Sequence, residues 1–242
     1  MQNLDDVASK YLADPSAEIE NDLIMNWYPG RVFNRTGHVH RVLELGLGHG
    51  FTIRYFSDMA DQHVVVEGSP KVIAHFKDNN PWYQGQVVED YFETYQPDQK
   101  FDLIVMGFVL EHVADPGAIL ARYREFLTDD GRIVIAVPNA KSLNRRLGVE
   151  MGMIPDIYEL NETDHKLGHQ RNYCRDTLRA EVEAAGYVVT HEEGIYLKPL
   201  PLGVLKTLDD LPANLNAMLK VGVDFPDLCV ALLFELADGG QG

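Results

Sequence analysis

The 242-residue sequence predicts an α/β fold: a doubly wound, mostly parallel seven-stranded sheet with a helical N-terminal leader and lid insertions. Three observations carry that expectation. Short β-branched runs alternate with stretches of helical spacing from about residue 40 onward, the pattern of a parallel sheet covered on both faces. Gly46, Gly48 and Gly50 stand between the first such run and the first helical stretch, where the chain must turn tightly and let a ligand approach. No Pro/Ser-rich linker, repeat or low-complexity run divides the chain, so one domain over residues 1–242 is expected.

Strands are expected at 41–45, 63–67, 86–89, 101–106, 132–137, 187–192 and 228–236, each a short run rich in Val, Ile, Leu or aromatic residues. Helices are expected at 51–59, 71–79, 116–127 and 175–185. In the last, Thr177, Leu178, Val182 and Ala185 share one face and Gly186 supplies the stop. Thr128-Asp129-Asp130-Gly131 reads as the turn feeding the fifth strand. Two connections, 139–173 and 198–227, are too long to be slack in a compact domain and read as lids or binding loops.

Charge and composition remove several functions. With 21 Lys+Arg against 37 Asp+Glu, the net charge of −16 repels phosphate backbones and anionic membrane surfaces, so neither nucleic acid nor membrane is expected as a partner. No apolar run is long enough to span a bilayer, and the first residues lack a basic segment followed by an apolar one. Cys174 and Cys229 form no disulfide framework, consistent with a reducing compartment, and a cytoplasmic protein is expected.

The segment Glu44-Leu45-Gly46-Leu47-Gly48-His49-Gly50-Phe51 is the most informative. A dinucleotide fingerprint would put its third glycine at position 51, which is Phe51. Glu44 would also repel a pyrophosphate on the helix N-terminus, and suits a ligand with an ammonium group and no phosphate. Glu67 ends the second strand about 20 residues on, where a carboxylate can accept hydrogen bonds from ribose hydroxyls.

Glu44-x-Gly46-x-Gly48-x-Gly50, Glu67 and Glu89-Asp90 together resemble the class I S-adenosylmethionine-dependent methyltransferases. The stretches FDLIVMGFVLEHVADPGAIL and LTDDGRIVIAVPN resemble the branch holding quinone-biosynthesis and bacterial small-molecule O- and N-methyltransferases. The resemblance implies a Rossmann-like cofactor half at 41–138 and an acceptor-side half at 139–242, behind a leader at 1–40. It implies S-adenosylmethionine as cofactor and S-adenosylhomocysteine as product. Glu44 and the Gly46, Gly48 and Gly50 backbone would border the methionine portion, and Glu67 the ribose. Gly68 and Ser69 would line the adenosine, Asp90 would accept from the adenine amine with Tyr91 or Phe92 nearby, and Met106, Gly107 and Phe108 would face the methyl group. Related quinone O-methyltransferases carry a Glu-x-x-Glu-His run associated with a divalent metal. Here its first position is Phe108, before Glu111-His112, and no metal is expected.

Methyl transfer from a sulfonium is an in-line displacement governed by alignment and exclusion of water, and a hydroxyl acceptor also needs a base. His165 and His169, in the segment Asp164 to Tyr173, and His112 are the candidates, histidine being the side chain that titrates near neutrality. His165 and His169 have the spacing of a metal pair, but Gly168 between them weakens the helix that would align them. Lys141, Arg145, Arg146, Lys166, Arg171, Arg175 and Arg179 make the connection and the helix after it locally basic. They either face a polar or anionic acceptor, such as a sugar, nucleotide-sugar or phosphate- or carboxylate-bearing metabolite, or pair with Glu150, Asp156, Glu159, Glu162 and Asp176. In the leader, Tyr11, Trp27, Tyr28 and Phe33 read as a cap over the cofactor mouth or as packing. The leading expectation is methylation of a hydroxyl on a small polar metabolite with a histidine base. Methylation of nitrogen or activated carbon, a nicotinamide-dependent oxidoreductase and a non-catalytic cofactor-binding protein are the alternatives.

Overall fold

A computed structural model describes residues 18–240 and contains the seven expected strands in one sheet of order β3-β2-β1-β4-β5-β7-β6. In chain order the elements are α1 (Glu18–Thr36), β1 (Val39–Leu45), α2 (Ile53–Asp58), β2 (Ala60–Glu67), α3 (Pro70–Asn79), β3 (Gln86–Glu89), β4 (Phe101–Gly107) and α4 (Pro116–Arg124). There follow β5 (Leu127–Pro138), α5 (Leu143–Glu150), α6 (Glu162–Leu167), α7 (Arg175–Ala184), β6 (Tyr187–Ile195), α8 (Leu202–Leu205), α9 (Leu211–Gly222) and β7 (Ala231–Asp238). Strands β1 to β5 pair in parallel, and β7 runs antiparallel between β5 and β6. Both long connections hold helices of their own, α5 and α6 in the first and α8 and α9 in the second.

The inner strands are apolar on both faces, and the period of two sorts their side chains. Leu43, Leu45, Ile104, Met106, Ile133, Ile135, Phe234 and Leu236 pack under α4 and α7 against Leu120, Tyr123, Leu178 and Val182. Val42, Leu103, Val105, Val134, Ala136 and Leu233 face α1, α2 and α9, meeting Tyr28, Val32, Phe56, Leu215 and Leu219. Ser69 and Asp115 cap α3 and α4, each followed by a proline suited to a first helical turn. The expected turn at Thr128 to Gly131 lies within β5. It persists as an irregularity, because pairing with β4 slips from Phe101↔Leu127 to Leu103↔Arg132. Among the described residues no helix is long and apolar enough to cross a membrane.

Two carboxylates break the apolar pattern on the α1 face. Glu193, 0% exposed, accepts from Arg31 at 2.8 and 2.9 Å and from Arg35 at 3.1 Å. Glu235 accepts from Arg35 at 2.9 Å and Arg132 at 2.6 Å. This network ties the leader helix to β6 and β7. Burial alone would raise the pKa of Glu193, but hydrogen bonds from Arg31 and His191, with the charges of Arg35 and Arg31, bring it below the usual 4.5. A depressed folded-state pKa stabilises above the unfolded value and is lost as pH falls through the folded one. Thermal unfolding should therefore show Glu193→Gln well below the wild type at pH 7, with the gap narrowing as pH drops below about 4.5. A gap independent of pH would assign the loss to packing instead.

Candidate active site

The turn after β1 is built on three glycines in left-handed backbone, with φ of 84° at Gly46, 49° at Gly48 and 80° at Gly50. A side chain there would be strained, and a Cβ on Gly50 would also sit 3.1 Å from the Phe76 ring. The turn floors a cavity of about 340 Å³ at the carboxyl ends of β1 and β4, where the order of strands reverses and open α/β sheets bind ligands. Of the residues expected at the cofactor, Glu44, Gly46, Gly48, Gly50, Glu67, Gly68, Ser69, Asp90, Tyr91, Gly107 and Phe108 line this cavity.

Its charges have one sign. Among the described lining residues are the carboxylates Glu44, Glu67, Asp90 and Glu93, with no lysine or arginine. A sulfonium- and ammonium-bearing ligand fits such a wall and a pyrophosphate does not. Glu67 accepts from the amides of Leu47 at 3.1 Å and Ser69 at 2.8 Å, which clamp its carboxylate at the rim. Burial nevertheless pushes its pKa up, with those amide bonds opposing. Asp90 is held by the Tyr91 amide at 2.8 Å and the Thr94 hydroxyl at 2.6 Å, all on one oxygen. Glu44 is more deeply set than its expected place at the mouth. It is 3% exposed, accepts from the Thr52 hydroxyl, and has its other oxygen 3.2 Å from the His63 imidazole.

The end of β4 brings a correction. Met106 does not reach the cavity; strand alternation turns it into the core under α4 and α7. Gly107 is needed because Tyr28 of the leader lies across it, and a Cβ there would fall 2.3 Å from the Tyr28 oxygen. Phe108 follows in left-handed backbone, φ 58°, and turns its ring edge-on to Tyr28 at 6.3 Å. For a bulky residue that conformation is strained, and such strain concentrates at ligand sites. Tyr28, Met25, Phe51, Thr52, Leu167 and Gln170 also line the cavity, and none was singled out there as a cofactor or catalytic residue. Tyr28 alone was legible as an aromatic of the capping leader; Trp27 packs into the core, Phe33 is 47% exposed and Tyr11 lies outside the described residues.

Of the three histidines only His112 lines the cavity. His169 stands behind it, ring centroids 4.7 Å apart, with Nδ1 3.3 Å from Asp164. His165 is exposed on α6, which ends at Gly168 (φ 81°), so the 165/169 pair never aligns. Burial first, then the neighbouring His169, lowers the His112 pKa to about 4, against hydrogen bonds to the Gly168 and Leu167 carbonyls. Glu111, 1% exposed with neither oxygen hydrogen-bonded, is pushed up to about 7 by burial, with His169 and Arg171 opposing. The metal-associated run of the quinone enzymes does not fit, because position 108 is an aromatic wall. The nearest substitute is Glu111, His112 and His169, whose ligand atoms lie within 4.8 Å of one another.

The basic connection resolves toward internal pairing. Lys141 pairs with Asp176 at 2.6 Å, Lys166 with Glu162 at 2.7 Å, and Arg179 with Glu192 at 2.6 Å. Arg175 bonds Glu192 and Asp227, Arg145 donates to the carbonyls of Ile157 and Glu159, and Arg146 to that of Lys141. Arg171 grips the carbonyls of Leu110, Val113 and Ala114. None of these cations lines the cavity.

Residues 10–192 match the family described as "Methyltransferase domain". A ubiquinone biosynthesis O-methyltransferase of Rhodopseudomonas palustris is 25% identical over 164 residues, 66% of this chain and 63% of that protein, so the match spans under two thirds of the relative's length. An S-adenosylmethionine-dependent methyltransferase from Clostridium acetobutylicum superposes with a TM-score of 0.62 at 10% identity, over 98% of this chain and 99% of the other. The N-methyltransferase NodS from Bradyrhizobium japonicum, in complex with S-adenosylhomocysteine, gives 0.58 at 14% identity, over 95% and 91%. The sheet order, the acidic cavity over a Gly-x-Gly-x-Gly turn and the family match agree, and the chain belongs to the methyltransferase domain family, with the Rossmann-like fold of the class I S-adenosylmethionine-dependent enzymes.

Proposed function

We propose that this protein transfers the methyl group of S-adenosylmethionine to a hydroxyl of a small molecule, with His112 accepting the hydroxyl proton. The cofactor binds on the 41–138 half, with its ribose on Glu67, its adenine amine toward Asp90 and its amino-acid end near Glu44. The 139–242 half closes over the acceptor. The observation that carries this reading is the position of His112, the one candidate histidine on the cavity wall, its imidazole kept uncharged by burial. Oxygen is favoured as the acceptor atom because the curated relatives are named as O-methyltransferases. Tyr28, Phe51, Phe108 and Leu167 give the acceptor end an apolar wall, and the lid cations are consumed in internal pairs. The acceptor therefore presents an uncharged face to that wall, with its hydroxyl toward His112 and Gln170.

In the reaction the acceptor oxygen forms a bond to the methyl carbon as the carbon–sulfur bond breaks, leaving S-adenosylhomocysteine, while His112 takes the proton. The protein's part is alignment and exclusion of water, with the base adding roughly 10²–10⁴-fold. The test pairs calorimetry with turnover on a panel of phenols, alcohols and amines. Wild type should bind S-adenosylmethionine and S-adenosylhomocysteine but not NADH. His112→Ala should keep cofactor affinity and lose about 10²-fold or more in kcat on hydroxyl acceptors. NADH binding without either sulfur ligand would sink the methyltransferase reading, and an unchanged kcat would remove His112 as base.

A further inference from the structure

We propose that His63 and Tyr83, on β2 and in the turn before β3, are positioning residues that hold Glu44 in place for the amino-acid end of the cofactor. This rests on the reading above, in which Glu44 faces that end. Glu44 is buried beneath the glycine turn, its side chain 4% exposed, and a carboxylate so placed is costly unless its oxygens are engaged. One oxygen accepts from the Thr52 hydroxyl. The other lies 3.2 Å from Nε2 of His63, itself 2% exposed. The ring's far nitrogen, Nδ1, lies 3.2 Å from the Tyr83 hydroxyl, and the two rings meet edge to face at 5.7 Å.

The arrangement sets the imidazole between the carboxylate and the phenol. Nε2 stands in charge-contact range of the carboxylate with no hydrogen bond formed between them, and the Tyr83 hydroxyl, which also reaches the His63 carbonyl at 3.3 Å, orients the ring from the opposite side. Tyr83 can fold back over His63 because Gly85 follows it. A Cβ at Gly85 would lie 2.3 Å from the Tyr83 oxygen and 2.6 Å from the His63 carbonyl. The phenol is held well above its usual range by burial and by the nearby Glu44 carboxylate. The series Tyr83, His63, Glu44 thus runs from the outer edge of the sheet, at β3, to the cavity, and the last member alone lines it. None of the three distances involves the acceptor side, so its effect belongs to cofactor binding.

The discriminating probe is 5′-methylthioadenosine, which has the cofactor's adenosine and no amino-acid end. Titration calorimetry on the intact protein would compare it with S-adenosylmethionine and S-adenosylhomocysteine. His63→Leu is expected to weaken both amino-acid-bearing ligands at least tenfold and to leave methylthioadenosine within twofold. His63→Gln, whose amide can donate to Glu44, should restore most of the loss, and Tyr83→Phe should weaken the same two ligands two- to fivefold. If His63→Leu does not fold, Tyr83→Phe carries the same selectivity test. Equal weakening of all three ligands, or unchanged affinity for S-adenosylmethionine, overturns the proposal. Wild-type protein that binds methylthioadenosine but neither larger ligand overturns the placement of Glu44 and this inference with it.

Discussion

Glu67→Ala is expected to weaken S-adenosylmethionine binding by about 1–3 kcal/mol, the loss of charged hydrogen bonds to the ribose. That is roughly five- to 150-fold in Kd. The carboxylate is pre-placed by two backbone amides, from Leu47 of the glycine turn and Ser69 at the start of α3. In the proposed cofactor pose, removing it strips the ribose of its acceptor and leaves both amides without a partner, so the turn and the helix start are disturbed together. Glu67→Gln separates these effects, since one amide oxygen remains to accept. Calorimetry should rank wild type, Gln and Ala in order of falling affinity. An Ala variant with wild-type affinity would refute the ribose role, and equal losses with methylthioadenosine and S-adenosylmethionine are expected because both carry the ribose.

The second large effect is expected at Arg171. Its guanidinium donates to Leu110 at 2.8 Å, to Val113, and to Ala114 at 3.1 Å, while Gln170 reaches Glu111 and His112 carbonyls at 2.8 and 2.6 Å. Together they bolt the end of the first long connection to the loop that carries Phe108 and His112. Arg171→Met should lower kcat by about 10–100-fold through misplacement of that wall, with cofactor affinity retained. Arg171→Lys should rescue little, because an ammonium cannot reproduce a planar fork over several carbonyls. If the residue instead recognised an anionic acceptor, Lys would preserve the acceptor KM and Met would raise it. Steady-state kinetics on the two variants distinguishes a clamp from a recognition site.

The wide legibility of the cofactor half has a local cause. A glycine turn, a strand and a helix start are contiguous in sequence, so Glu44, Gly46, Gly48, Gly50, Glu67 and Ser69 reach the cavity by chain geometry alone. Met106 failed because two neighbouring residues on a strand point to opposite faces, and which face opens to the cavity depends on what covers the sheet. The basic residues failed as an acceptor site for a related reason. Clustering along the chain says nothing of partners such as Glu192 and Asp227, which lie on β6 and in the second connection.

The sequence by itself determined the sheet, its seven strands, the cofactor turn and the class of ligand, because all of these follow from local periodicity and from one short motif. Only the tertiary structure decided which histidine meets the cavity, that Tyr28 of the leader crosses Gly107, that Glu44 lies against His63 and His63 against Tyr83, and that the basic residues of the first connection are engaged within the protein itself. Each of these joins residues from separate elements. Their proximity is set by packing of helices on both faces of the sheet, a sum of many small contacts that no single stretch of sequence contains.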